Sequence, residues 1–190
     1  MLEEKIIAKY SNFLAFFIGF WFCLNTANSL AVDGAVDNAL NDSKTPKTIL
    51  FKLVGKGTMR WLWIDIYQAK LSTPSGTYEA EQWPLSLELI YARHINREDL
   101  IKTTEDEWQR QSINYQQHWL TQLNEIWPNI SPKDKLLLQV DKKGNSQFFY
   151  NNQYVGSLTD KEFTLAFTAI WLSDNTLKPA LRDQLIGFKS

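Results

Sequence analysis

Phe148-Phe149-Tyr150-Asn151-Asn152-Gln153-Tyr154-Val155-Gly156-Ser157-Leu158, then Phe163, Ala166, Phe167 and Ile170-Trp171-Leu172, then Leu181-Arg182 and Gly187, is the stretch that decides the fold of this 190-residue chain. Asn151-Asn152 is a turn pair between two β-rich runs, which reads as a hairpin. Thr159 with Glu162 three residues on forms a capping box opening a helix, with Phe163, Ala166, Phe167, Ile170 and Trp171 inward. Pro179 opens a last helix and Gly187 closes it. Hairpin, buried helix and closing helix therefore follow one another without interruption. One step upstream, Lys135–Val140 is a strand joined to Gln147–Tyr150 across Asp141-Lys142-Lys143-Gly144-Asn145, so the hairpin extends to an antiparallel meander.

Further upstream, Ile49 to Leu71 has strand character on both sides of Gly55-Lys56-Gly57, where two glycines a residue apart suggest a bulge or tight turn. From Met59 to Tyr67 the odd positions Met59, Trp61, Trp63 and Tyr67 and the even positions Leu62, Ile64 and Ile66 are all apolar. A single strand read this way belongs in the middle of a sheet covered on both faces. Ser75-Gly76 is a turn, and Leu85–Tyr91 alternates as a half-buried strand. Asn96 is the expected N-cap of a helix whose first turn carries Glu98 and Asp99. Leu100, Ile101, Thr104, Trp108, Tyr115, Trp119, Leu123 and Ile126 then form a stripe, on one long helix or on two broken near Ser112-Ile113-Asn114, stopped by Pro128 and Pro132.

With 44% apolar and 22% charged residues, the chain can bury one substantial core, and its length argues for one domain. A net charge of −1 gives no electrostatic reason to expect either nucleic acid or anionic lipid as a partner, since both need a concentrated basic field, and nucleic acid is set aside. Eight tryptophans imply a thick core or an aromatic ligand wall.

The first thirty or so residues read as a leader. Lys5 and Lys9 precede the apolar run Phe13–Leu24, short for a bilayer span and suited to a signal peptide, with Ala27, Ser29 and Ala31 at cleavage spacing. The expected organisation is a signal peptide over 1–31, a flexible lead-in over 32–48 and a domain over 49–190, with periplasmic location; an uncleaved N-terminal membrane anchor is the alternative. Membrane contact is expected only through the leader. The single cysteine, Cys23, lies inside the apolar run after bulky Phe20-Trp21-Phe22, which disfavours lipidation. Cleavage would leave no thiol, hence no disulfide, thiolate catalysis or cysteine metal site. Residues 1–31 hold two acids and two bases, so the remainder keeps 19 acids against 18 bases.

Gly55-Lys56-Gly57 with Trp61–Tyr67, the strand ending Leu89-Ile90-Tyr91, and above all Tyr150-Asn151 to Gly187 with Ile170-Trp171-Leu172 and Leu181-Arg182 resemble the exported bacterial chalcone isomerase-like family over roughly residues 49–187. The resemblance implies an α+β fold, an antiparallel sheet with helices layered on one face. Enzymes of the wider superfamily close a chalcone to a flavanone, and other members bind fatty acids without catalysis. The enzymatic set implied is an arginine, a threonine on the strand ending in a tyrosine, and a tyrosine with an asparagine one helix later. Matching Tyr67 to the strand tyrosine puts Leu62 at the threonine position, and Arg97–Ile113 holds neither tyrosine nor asparagine. Arg60 is the nearest candidate for the arginine.

Three residues are therefore candidate ligand contacts: Arg60, by two-point pairing with a carboxylate, and Tyr67 and Tyr91, by their hydroxyls. Each has a plainer reading: Arg60 as a strand-end cation reaching solvent or a structural carboxylate, the tyrosines as core residues with satisfied hydroxyls. Asp65 is read as a sheet-edge charge or as the partner of Arg60 or Arg93. His94 and His118 lack metal-ligand spacing, no phosphate loop or nucleophile elbow occurs, and neither a cofactor nor a metal is implied.

The preferred expectation is an exported, non-catalytic protein holding a small hydrophobic ligand such as a fatty acid between sheet and helices. A pocket too small for a fatty acid counts against it. The rivals are an isomerase or intramolecular lyase acting on a phenolic or enone substrate through Arg60 and a tyrosine, and a cell-envelope interaction module exposing Trp83, Trp108 or Trp127.

Overall fold

The computed structural model describes residues 50–188, which lie within one compact unit, Pro46–Ser190. The signal peptide expected over 1–31 and the lead-in expected over 32–48 fall outside the described residues. Six strands, β1 (Lys52–Trp61), β2 (Ile64–Thr73), β3 (Leu85–Tyr91), β4 (Lys135–Val140), β5 (Ser146–Tyr150) and β6 (Gln153–Leu158), pair antiparallel in chain order in one sheet. Helices α1 (Arg97–Arg110) and α2 (Gln117–Ile126) fall between β3 and β4, and α3 (Lys161–Leu172) and α4 (Pro179–Ile186) follow β6.

Register explains why the helices cover one face. Gly55, Leu71, Leu87, Leu138, Phe148 and Gly156 are successive cross-strand partners from β1 to β6, and Gly57, Ala69, Leu89, Leu136 and Tyr150 form the next row. Large side chains fill the middle of the first row and glycines end it. A Cβ on Gly55 would sit 2.0 Å from the Gln184 carbonyl oxygen of α4, and one on Gly156 would sit 2.4 Å from Ile126 Cγ2 of α2. The edge glycines thus let α4 and α2 approach the backbone of β1 and β6, while α3 rides on the leucines between. On the opposite face Lys70 Nζ donates to Glu88 Oε1 at 3.0 Å between cross-strand partners, with Ser72, Ser86 and Gln139 on neighbouring strands. The sheet is open on that side, as alternating half-buried strands require.

Three local expectations are corrected. Met59–Tyr67 is not one doubly buried strand: the chain reverses at Leu62-Trp63, with Leu62 at φ +54°, so the run is the end of β1, a tip and the start of β2. Both of its faces read apolar because two strands and an exposed tip were superposed. Gly55 and Gly57 lie within β1, beside a register irregularity between Leu53 and Gly55, and make no turn. The N-cap of α3 is Asp160 rather than Thr159, its carboxylate accepting from the Glu162 and Phe163 amides. Asn96 caps α1 by position without a side-chain bond; Asn129 Oδ1 accepts from Arg97 N at 2.9 Å. The helical stripe breaks where expected, with Ser112 at φ +57° between α1 and α2.

The aromatic load goes into the core. Trp108 and Trp119 are fully buried, and Trp108, Trp119 and Phe163 meet edge to face. Trp108 Nε1 donates to the Ala166 carbonyl at 2.8 Å and Trp119 Nε1 to Asp160 Oδ2 at 2.9 Å, so α1 and α2 are each tied to α3. Trp127 is 3% exposed and Trp83 is half-buried under the Lys161 ammonium, so none of the three tryptophans expected at an interaction surface is available for one.

A buried polar junction joins β5 to α3. Ser146 Oγ and Thr164 Oγ1 are 2.7 Å apart, and Thr164 Oγ1 also donates to the Gly144 carbonyl at 2.7 Å. Thr164→Val keeps the shape and strands two buried partners, and is expected to cost about 1–3 kcal/mol in urea unfolding. A cost below about 0.5 kcal/mol would show that the junction is not closed in solution.

Candidate functional site

The helix-covered face carries a void between the sheet and α3. It is lined by Leu87 and Leu89 of β3, Leu136 and Leu138 of β4, Phe148 of β5, and Phe167 and Trp171 of α3, all apolar. It leaves about 10 Å³ for the centre of a water-sized sphere, close to the minimum for one water molecule. Small-molecule sites run to several hundred Å³. An acyl chain therefore fits only if the rings of Phe167 and Trp171 move.

At one end of the void stand the tyrosines. Tyr67 and Tyr91 are cross-strand partners with their rings edge to face, centroids 5.6 Å apart. Tyr67 Oη accepts a hydrogen bond from Trp171 Nε1 at 2.8 Å, so the ring that closes the void is latched to the sheet. Burial raises the Tyr67 phenol to about 12; the Trp171 bond opposes this and the Glu107 carboxylate adds to it. Burial also pushes the Tyr91 phenol up, with Tyr67 contributing. Glu107 is 5% exposed and grips Arg110, whose Nη2 donates to Glu107 Oε2 at 2.8 Å and to the Asn175 carbonyl at 2.6 Å.

The structure brings Tyr67 and Tyr91 together and leaves Arg60 elsewhere. Arg60 Nε donates to Asp65 Oδ1 at 2.6 Å near the β1–β2 reversal, the two side chains 62% and 53% exposed. Leu62, the position matched to the superfamily threonine, is in the tip itself and 66% exposed. Sequence reasoning missed Trp171, Glu107 and Arg110. A helical Trp on an inward stripe reads as core, and nothing local says that its indole nitrogen reaches a strand about a hundred residues earlier. Among the described residues no group of three or more His, Cys, Asp and Glu gathers in metal-binding geometry.

The tyrosine environment makes a pH prediction. The neutral phenol is favoured in the fold, with Tyr67 rising from 10.0 unfolded to about 12 folded. Its contribution is complete below pH 10 and is lost as pH rises from there to about 12. Alkaline unfolding should therefore steepen over that window by about 2 kcal/mol, and Tyr67→Phe should flatten it. Ultraviolet titration of the phenolates is the check: a Tyr67 signal completed by pH 10.5 contradicts the burial.

An antiparallel six-stranded sheet with four helices over one face and a closed apolar layer beneath α3 defines an open-faced α+β sandwich. The chain belongs to the chalcone isomerase-like family, whose model matches residues 36–187, beginning ahead of the domain start expected at residue 49. It is 27% identical over 136 residues to an uncharacterized protein of Haemophilus influenzae, spanning 70% of this chain and 67% of that one. The crystal structure of an Arabidopsis thaliana fatty-acid binding protein superposes with a TM-score of 0.57 at 11% identity, covering 72% of this chain and 87% of that one. At that identity the likeness is one of fold.

The motif that carried the resemblance has a structural role. Arg182 Nε donates to the Leu172 carbonyl at 2.8 Å at the end of α3, and its Nη2 pairs with Asp174 at 2.6 Å. Leu181-Arg182 thus closes the C-terminus of the helix that bears Ile170-Trp171-Leu172.

Proposed function

We propose that this chain is a non-catalytic binding protein for a small hydrophobic ligand, exported to the periplasm, and that the ligand enters between the sheet and α3. One observation carries the reading: the layer under α3 is lined by apolar side chains alone and closed by a Trp171 ring latched through a single hydrogen bond to Tyr67. Breaking that bond and turning Trp171 outward enlarges the void toward the paired tyrosines, whose hydroxyls would meet a polar ligand end. The void as it stands is too small for an acyl chain and so counts against a preformed pocket, and ligand uptake requires this opening. The fatty-acid binding activity of the Arabidopsis protein of like fold supports a ligand of that class.

The isomerase reading has less support. Arg60, one residue from the cross-strand partner of Tyr67, is paired with Asp65 and largely exposed, and the position matched to the threonine is the exposed Leu62 of the tip.

Mass spectrometry of an organic extract of the protein, purified without detergent from its own cells, is the test. A stoichiometric apolar molecule is expected. Trp171→Ala should change its occupancy or chain length, because that ring fills the space the ligand needs. An empty protein that also fails to take up fatty acids in solution would overturn the reading. Recovery of the native protein with the cytoplasmic rather than the periplasmic fraction would overturn the export part.

A further inference from the structure

We infer that the tip of the β1–β2 hairpin, Leu62-Trp63, is a lipid-contacting anchor that inserts at the headgroup level of an anionic bilayer. Two departures from what folding favours coincide there. Trp63 is 83% exposed and Leu62 is 66% exposed. Leu62 also holds φ +54°, a conformation that glycine or asparagine adopts at less cost, so the fold alone would favour a small or polar residue.

The base of the tip is fixed. Trp61 and Ile64 are cross-strand partners, and the Lys178 ammonium lies 5.0 Å from the Trp61 ring centroid. Three basic residues lie on the segments near its base. Arg60 precedes the tip; Arg93 follows Ala92, whose amide donates to the Ile66 carbonyl at 2.8 Å; Lys178 sits over Trp61. Asp65 is the acid beside them, paired with Arg60, and Asp174, on the loop before Lys178, is paired with Arg182. The end of the sheet therefore presents a tryptophan and a leucine within a cationic rim, the arrangement that interfacial anchors use.

Size selects a bilayer over a protein. The two side chains, 83% and 66% exposed, offer less than about 400 Å² between them even at about 200 Å² for each. A stable protein interface needs roughly 800 Å² per partner, so neither a second copy nor a folded partner is satisfied by the tip. A bilayer needs no complementary surface; tryptophan settles at its interface as a single side chain. The sequence reading saw no reason for anionic lipid in a net charge of −1 and placed Leu62 and Trp63 inside a buried strand; net charge is blind to the local arrangement that carries the inference, an exposed apolar tip with basic residues near its base.

The test uses the full chain with vesicles of phosphatidylglycerol and phosphatidylethanolamine, read by peptide-resolved hydrogen exchange. Slowed exchange over residues 60–65 is expected, lost in the Leu62→Ser, Trp63→Ser double variant and weaker with phosphatidylcholine vesicles. The parent's emission minus that of Trp63→Phe should also shift to shorter wavelength on adding vesicles. Both readouts are local to the tip, so attachment through Phe13–Leu24 does not mimic them. Protection confined to leader peptides with no emission shift, or protection of 60–65 that persists in the double-serine variant, overturns the inference. Unchanged thermal unfolding of that variant is the folding control.

Discussion

Trp108→Ala is expected to lower the free energy of unfolding by about 4 kcal/mol, enough to threaten a domain whose total stability is of order 5–15 kcal/mol. The residue is completely buried, packs edge to face on Trp119 and Phe163, and makes the one indole bond from α1 to the α3 backbone, at Ala166. Alanine removes the ring, leaves a cavity that three helices cannot close together, and strands the carbonyl's partner position. Trp108→Phe separates the two contributions: it retains most of the packing and loses the hydrogen bond, and should cost about 1–2 kcal/mol. Urea unfolding monitored by circular dichroism decides it. If both variants unfold within about 1 kcal/mol of the parent, Trp108 does not hold α1 to α3.

Gly55→Ala is expected to be nearly as damaging, at about 3 kcal/mol, although it adds one methyl group. The added carbon would stand 2.0 Å from the Gln184 carbonyl oxygen and 2.6 Å from that of Leu185, both backbone atoms of α4. Helix α4 must lift from β1, and Leu181 and Leu185, buried at 6% and 0% exposure, must lift with it. Gly57→Ala is the informative comparison. Its nearest obstacle is the Gln184 side-chain oxygen, which can swing away, with Leu181 Cδ1 next at 2.7 Å, so a smaller loss is expected. Equal losses at the two positions would refute the account of α4 resting on the β1 backbone.

Much of the second half of the fold was legible in advance because it follows local rules. Asn151 and Asn152 both hold positive φ, as the turn pair implied, and Gly187 closes α4 at φ +81°. Strand β4 alternates in burial, and β5 and β6 pair across the turn with a register irregularity at Phe148/Phe149. The first hairpin was read wrongly for a physical reason. Its reversal is made by Leu62 and Trp63, residues of strand character, while the glycines that look like a turn serve a helix more than a hundred residues away. Of the candidate site, Tyr91 ends β3 while Tyr67 lies inside β2, and their pairing across the two strands, like the pairing of Arg60 with Asp65, depends on a register and a facing that the sequence alone does not give.

By itself the sequence determined most of the element types, the antiparallel meander, the place where the helical stripe could break and the amount of aromatic material to be buried. Periodicity, caps and turn residues act over a few residues and need no partner. Only the tertiary structure decided that Trp171 latches to Tyr67, that Arg60 pairs with Asp65, and that two apolar residues stand in solvent at a hairpin tip. Those outcomes depend on which surfaces meet across the fold, and a hydrogen bond between residues 67 and 171 is set by packing that no local pattern encodes.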